Sequence, residues 1–153
     1  HELMRRQHAG GGMEKTYHAL TCGIPDPPEG EIDAPIARVP GNSLLREIRP
    51  DGKPASSRYR VLEARAGCAK LELSPLTGRT HQLRLHCAYL GCPILGDPQY
   101  GTPGSLTLSA RYGIAGQQLC AVRLRFLHPM TKKTVEIRAA GDVSLDFLER
   151  TVV

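Results

Sequence analysis

Between Cys68 and Leu73 the chain alternates without a break, with Ala69, Leu71 and Leu73 set against Cys68, Lys70 and Glu72. A period of two with one apolar side marks a strand that buries one face and leaves the other polar. Such a strand needs a partner, and residues 56–64 lie just before it across Arg65-Ala66-Gly67. There Tyr59, Val61 and Glu63 fall against Arg58, Arg60 and Leu62, a rougher alternation. Two extended runs joined by a short Gly-containing link predict an antiparallel hairpin with one buried face. A hairpin alone is marginal, so the rest of the chain has to widen the sheet and cover that face.

Further extended segments are available. Residues 15–21 read as a strand, with Tyr17, Ala19 and Thr21 on one face and Thr16, His18 and Leu20 on the other. Pro25, Pro27, Pro28 and Gly30 predict a loop after it. Residues 32–39 form a weak strand broken by Pro35, residues 44–48 another, and Asp51-Gly52 is a turn signal. Residues 119–127 place Leu119, Ala121, Arg123 and Arg125 opposite Cys120, Val122, Leu124 and Phe126. Pro129 ends that strand, and residues 134–138 pair with it.

The best helix runs over residues 80–90. Leu83, Cys87 and Leu90 make its buried stripe, Thr80 is its N-cap, and Gly91 with Pro93 stops it. Residues 102–116 read as loop, residues 145–150 as a short closing helix, and residues 1–7 as the end of a helix stopped by Gly10-Gly11-Gly12. Strands dominate, one helix is central, and βαβ alternation is scarce. The expected class is α+β: a mostly antiparallel sheet with a central helix.

The 153 residues suit one domain with a sizeable core. With two Phe, five Tyr and no Trp, that core rests on Leu, Val, Ile and Ala. Twenty Lys and Arg against fifteen Asp and Glu leave a net charge of +5, which suits a polyanionic partner. Five cysteines without a CxxC read as free thiols in a reducing compartment, which points to the cytoplasm. A zinc site drawn from Cys87, Cys92 and His81 or His86, the basis of a metal-dependent hydrolase reading, matches no standard ligand spacing. No apolar run reaches membrane-spanning length, and no signal-peptide pattern opens the chain.

Chemistry concentrates before and within the central helix. Arg79 precedes it, and His81, Arg84 and Ala88 share one of its faces. An Arg and a His near a helix start, where backbone N–H groups are free, favour a bound carboxylate or phosphate; a solvated basic face is the alternative. Tyr17 reads as strand packing and His18 as structural or exposed. Gly96-Asp97-Pro98 reads as a turn whose Asp97 caps local N–H groups. Arg58, Arg60, Arg123 and Arg125 offer a basic sheet face, for the phosphates of a polyanion or, the reading that the residues alone favour, simply for solvent.

Several segments carry a resemblance. Residues 15–20 (KTYHAL) resemble a K-x-Y-x-A motif, followed by Gly23 and Glu29-Gly30-Glu31-Ile32, and by Lys53-Pro54-Ala55 with Tyr59-Arg60-Val61. Residues 76–86 (LTGRTHQLRLH) and 90–101 (LGCPILGDPQYG) are the strongest, and Leu124, Phe126, His128 and Pro129 resemble a closing L-x-F-x-H-P. In this order, over residues 14–147, the chain is similar to the RluA-type RNA pseudouridine synthase family.

The resemblance implies part of the pseudouridine synthase catalytic fold. It also implies an intramolecular transferase that isomerises specific uridines to pseudouridine in structured rRNA or tRNA, with the uridine flipped from its stack and no cofactor or metal. It makes Tyr17 the tyrosine that stacks on the base and assists loss of the C5 proton. Arg84 becomes the arginine that ion-pairs with the catalytic aspartate, because a buried carboxylate needs a cation to stay ionised and Arg offers two parallel hydrogen bonds. Lys15, Arg58, Arg79, His81 and Gln82 become supporting or RNA-binding residues.

The family's aspartate stands in an H-R-L-D-x-x-T-S-G segment upstream of K-x-Y, and none of Asp26, Asp33, Asp51, Asp97, Asp142 and Asp146 has that context. The expectation is therefore a single domain, residues 1–153, forming the C-terminal portion of a catalytic domain. On this reading the chain is inactive alone and poorly soluble through unpaired strand edges, and the complete protein is a monomer. The alternative is a non-catalytic RNA-binding relative that has lost the aspartate.

Overall fold

Segments of alternating pattern can bury their apolar sides only by pairing edge to edge, and the computed structural model, which describes residues 13–150, shows that arrangement. In chain order the elements are β1 (Met13–Cys22), β2 (Glu29–Asp33), β3 (Ile36–Arg38), β4 (Arg46–Ile48), β5 (Ser56–Arg65) and β6 (Cys68–Pro75). Then come α1 (Gln82–Tyr89), α2 (Pro103–Arg111), β7 (Leu119–Leu127), β8 (Thr134–Arg138) and a 3-10 turn at Leu145–Glu149. Six strands form one sheet in the order β2-β5-β6-β1-β7-β8, and β3 and β4 form a separate ribbon. Every strand pairing is antiparallel, so the class is α+β as expected.

The β5–β6 hairpin closes as its sequence suggests. Arg65 pairs with Cys68, and Ala66 (φ 53°) and Gly67 (φ 78°) take the two left-handed positions of the link. One side of the sheet is covered by α1: Ala19, Tyr59, Ala69, Leu71 and Leu73 pack with Leu83 and Cys87. Leu71 and Leu73 are completely buried, a gain of about 1.5–3 kcal/mol each. On the other side a smaller core of Leu20, Cys68, Leu95, Leu145 and Phe147 sits under α2 and the 3-10 turn. Ile36, Ala55 and Leu85 tie the ribbon region to α1.

Several expectations need correction. Residues 102–116 are not all loop, since residues 103–111 form α2. Its start is well made: Thr102 caps Ser105 N–H, the Ser105 hydroxyl accepts Thr102 N–H, and Pro103 follows the cap. Its fully buried positions are Ser105 and Ser109, so no apolar stripe announces it. Gly30 is not loop but lies within β2, opposite Tyr59. The central helix starts later than expected, with His81 at the N-cap in a left-handed conformation (φ 58°) and no side-chain cap.

Two bulges also invert the predicted faces. One at Leu62 pairs Glu63 with Lys70, moving Glu63 off the face of Tyr59 and Val61. The other at Val122 pairs Arg123 with Thr16 and Ala121 with Tyr17, so Arg123 and Arg125 leave the face of Leu119. The predicted helix over residues 1–7 and the Gly10–Gly12 stop lie outside the described residues.

Candidate active site

β1 and α1 approach each other at one end of the sheet. β1 contributes Lys15 and Tyr17, the turn after β6 contributes Thr77, Gly78 and Arg79, and the start of α1 contributes His81, Gln82, Leu83 and Arg84. With Pro75 and Leu119 these line one cleft of about 280 Å³. Six of the seven expected site residues thus share a single cavity. The seventh, Arg58, does not reach it: it projects from the opposite sheet face and pairs with Glu31 at 3.8 Å.

Gln82 builds the floor. It is 4% exposed, yet each of its side-chain amide atoms has two partners. Its Oε1 accepts from the Thr77 hydroxyl (2.7 Å) and from Arg79 N–H (3.0 Å). Its Nε2 donates to the Ser56 carbonyl and the Ser57 hydroxyl, both at 2.9 Å. The chain of bonds continues into the core. His86 Nε2 donates to the Ala34 carbonyl at 3.0 Å, so neutral His86 accepts from the Ser57 hydroxyl on Nδ1 (2.9 Å). Burial holds His86 below the usual histidine range. Gln82 therefore fixes the turn that presents Arg79 instead of facing substrate alone.

Arg84 holds the main ion pair. Its Nε donates to Asp97 Oδ2 at 2.9 Å and its Nη2 to Asp97 Oδ1 at 2.7 Å, a two-point fork. Nη2 also donates to Gln99 Oε1 at 2.6 Å. The guanidinium lies 4.9 Å from the centre of the Tyr100 ring. The arginine side chain is 10% exposed and the carboxylate 1%. Burial alone pushes Asp97 up, but the Arg84 fork and the N–H groups of Gln99 and Tyr100 outweigh it and hold Asp97 below the usual carboxylate range. The hydrogen bonds that it donates to Asp97 raise the pKa of Arg84 in turn.

Arg84 thus has a partner within this chain besides the one that the resemblance implies. The carboxylate that it forks is supplied by this chain, by the aspartate expected only to cap a turn. Asp97 does cap the turn, since its Oδ1 accepts Gln99 N–H (3.0 Å) and Tyr100 N–H (3.2 Å). Its position depends on Gly96 (φ 77°), where a Cβ would collide with the Gly116 carbonyl.

His81 stands at the rim. Its Nδ1 is 2.6 Å from the Tyr100 hydroxyl, which also accepts Arg46 N–H at 3.1 Å. Burial, then the charges of Arg84 and Arg46, hold its pKa below the usual histidine range. Tyr100 therefore joins His81, Arg46 and Arg84, a role that its motif alone did not reveal. A second cleft of about 440 Å³ adjoins the first, shares Gly78 and Arg79 with it, and is lined by Arg38, Arg46 and Lys53. No carboxylate lines the first cleft among the described residues.

The proposed zinc ligands are otherwise engaged. Both ring nitrogens of His86 are bonded, and burial pushes the Cys87 thiol up to about 12. No group of three metal-binding side chains occurs among the described residues. The five cysteines are free thiols.

Comparison with known proteins places this geometry. A family model described as RNA pseudouridylate synthase matches residues 1–89. The chain is 37% identical over 134 residues to the ribosomal large subunit pseudouridine synthase C of Vibrio cholerae, covering 88% of this chain and 42% of that protein. It is 41% identical over 139 residues to an uncharacterized RNA pseudouridine synthase of Chloroflexus aurantiacus, covering 90% and 42%. The solved structure of human RNA pseudouridylate synthase domain containing 1 matches with a TM-score of 0.74 at 30% identity, over 90% of this chain and 58% of that one. The chain spans less than half the length of the two sequence relatives.

Proposed function

The chain belongs to the RNA pseudouridylate synthase family, and we propose that the protein carrying it isomerises uridine to pseudouridine in structured RNA. The observation that carries this reading is the convergence of Tyr17 and Arg84, far apart in sequence, on one cleft with Lys15, Arg79, His81 and Gln82. In the reaction the N1–C1′ bond breaks, the base turns, and C5 bonds to C1′. C5 loses a proton and N1 gains one, so the substance is isomerised with no oxidant, reductant or cofactor.

In this reading Tyr17 offers its ring to the base, and Arg84 orients the reacting carboxylate. The cleft is close to the lower bound of small-ligand sites, about 300–1,000 Å³. It suits a single flipped uridine better than a stacked pair. Lys15 and Arg79 face the phosphates, and the adjoining cleft, where Arg38, Arg46 and Lys53 outnumber Asp51, continues a path of net positive charge for the strand. On this reading the nucleophilic carboxylate is not among the described residues that line the cleft, and the expected result for this chain alone is no turnover. The name of the Vibrio relative favours ribosomal RNA as the substrate, with tRNA the second candidate. Free thiols fit a reducing compartment such as the cytoplasm.

The absence of a carboxylate from the cleft among the described residues favours one second reading: a relative that binds RNA without modifying it. Release of tritium from [5-³H]uridine in transcript rRNA and tRNA separates the two. The protein expressed from its complete reading frame releases tritium, and Arg84→Ala abolishes release. Retention of the label by the wild-type protein with RNA still bound would establish the binding relative instead.

A further inference from the structure

Arg84 has five N–H groups, and their distribution is uneven. Nε and one Nη2 hydrogen reach the two oxygens of Asp97, and the other Nη2 hydrogen reaches Gln99. Nη1 donates to no described residue, although Arg84 lines the cleft. The guanidinium is thus held along one edge by a carboxylate and on one face by the Tyr100 ring. Its remaining edge is donor-only and has no acceptor among the described residues.

We propose that Asp97 is a positioning residue for this site, aiming the free Nη1 edge of Arg84 at a second carboxylate, the one that reacts with the substrate. This inference rests on the function proposed above. Asp97 is suited to the task because it is itself immobilised, by two backbone N–H groups and by the tight turn at Gly96. It also sets the charge of the site. Arg84 and Asp97 together are neutral, so the incoming carboxylate meets two directed N–H groups and not an unopposed cation. It is oriented and kept ionised without being clamped into a full ion pair, which leaves it free to attack. Gln99, on the solvent side of the same Nη2 group, completes the fixation.

The test uses the protein from its complete reading frame, with Asp97→Asn, Asp97→Glu and Gln99→Ala. Single-turnover tritium release, RNA affinity and the pH profile of the rate are measured. Asp97→Asn keeps the shape and removes the charge, so the rate falls by up to about 10²-fold, as for a misplaced reacting group, while RNA affinity barely changes. The acid limb of the profile moves to lower pH, because Arg84, no longer neutralised, lowers the reacting carboxylate further. Asp97→Glu recovers part of the rate, and Gln99→Ala gives a smaller fall. A wild-type rate with an unmoved acid limb in Asp97→Asn would overturn the proposal.

A merely structural role lowers the yield of folded protein without moving that limb. Should the Asn variant not fold, Gln99→Ala and the ¹⁵N signal of Arg84 Nε–H in the wild type decide. Slow exchange of that proton is expected, and exchange as fast as in surface arginines would refute the pairing. Failure of the wild-type protein to release tritium counts against the proposed function and leaves the Nε–H result to judge the pairing separately.

Discussion

Arginines occupy both sides of the same sheet, in opposite circumstances. On the α1 side Arg84 is 8% exposed and forks onto a carboxylate that is itself buried. On the other side Arg58, Arg60 and Arg138 have side chains that are 66%, 55% and 68% exposed, and each lies near one acid: Glu31, Glu72 and Glu136. The bulge at Val122 does bring Arg123 and Arg125 onto this second face, so the four arginines anticipated from sequence share it. Acids beside Arg58, Arg60 and Arg138 offset part of that charge. Charge count alone would rank the open face first. Burial, fork geometry and a fixed partner place Arg84 ahead of it, because a desolvated pair loses far more when one member is removed than an exposed one does.

The sharpest way to break this contrast is Asp97→Ala. It strands a buried guanidinium, and the expected cost is about 3–5 kcal/mol of unfolding free energy. Urea denaturation measures it, and a loss no larger than that of a surface pair would put both faces on the same footing. Next comes Gln82→Leu, a substitution of similar size. The Ser56 carbonyl, Arg79 N–H and the hydroxyls of Thr77 and Ser57 all lose a partner. The Ser56 carbonyl keeps Leu76 N–H, the Thr77 hydroxyl keeps Ser56 N–H and the Ser57 hydroxyl keeps His86, so Arg79 N–H is the group left unpaired and the expected cost is about 1–3 kcal/mol. The same denaturation series reads it, and Arg79 mobility should rise with it.

These residues also show what was legible in the sequence. The hairpin, β1, β7, β8 and the central helix all follow from alternation and the Leu83–Cys87 stripe, because there the buried groups are apolar. α2 was illegible by that rule since serines fill its buried positions. The bulges at Leu62 and Val122 leave no local mark, so every face assigned beyond them is inverted. The cleft was legible as a set of residues through the motif in residues 76–86. Its wiring was not. Asp97 looked like a turn cap because it is one; that its second oxygen reaches a helix earlier in the chain depends on a tertiary fold that spacing does not encode. Tyr100 was hidden for the same reason.

Acid titration sharpens the comparison through buried groups alone. His86 is held below the usual histidine range by burial, so it binds its proton more readily in the unfolded chain. Its contribution to stability is full above the unfolded value, about 6.5, and declines as pH falls toward its folded value. Asp97 is held below the carboxylate range, so its contribution is present above the unfolded value and is lost only as pH falls through the depressed one. Melting temperature should therefore fall in two stages, first below about pH 6.5 and again below the ordinary carboxylate range. The stability gap between wild type and Asp97→Asn should persist through the first stage and close only in the second. A gap that closed in the first would mean that Asp97 takes up its proton there and is not held below the carboxylate range.

The smallest effect is expected on the open face, and it is the most informative about charge counting. Arg60 Nη2 lies 3.2 Å from Glu72 Oε1, a well-formed pair by distance, between cross-strand neighbours of β5 and β6. Its arginine is more than half exposed, so water already solvates both charges and the pair gains little by meeting. Arg60→Ala should then cost less than about 0.5 kcal/mol. The double-mutant cycle with Glu72→Ala should return a coupling of about 0.2–1 kcal/mol that shrinks as salt is added, because exposed pairs are screened within a Debye length. The Arg84–Asp97 pair, shielded from solvent, should show almost no such salt dependence. A coupling at Arg60–Glu72 that reached several kcal/mol and resisted salt would mean that the open face is organised as tightly as the cleft, and the distinction between the two arginine environments would fail at its weaker end.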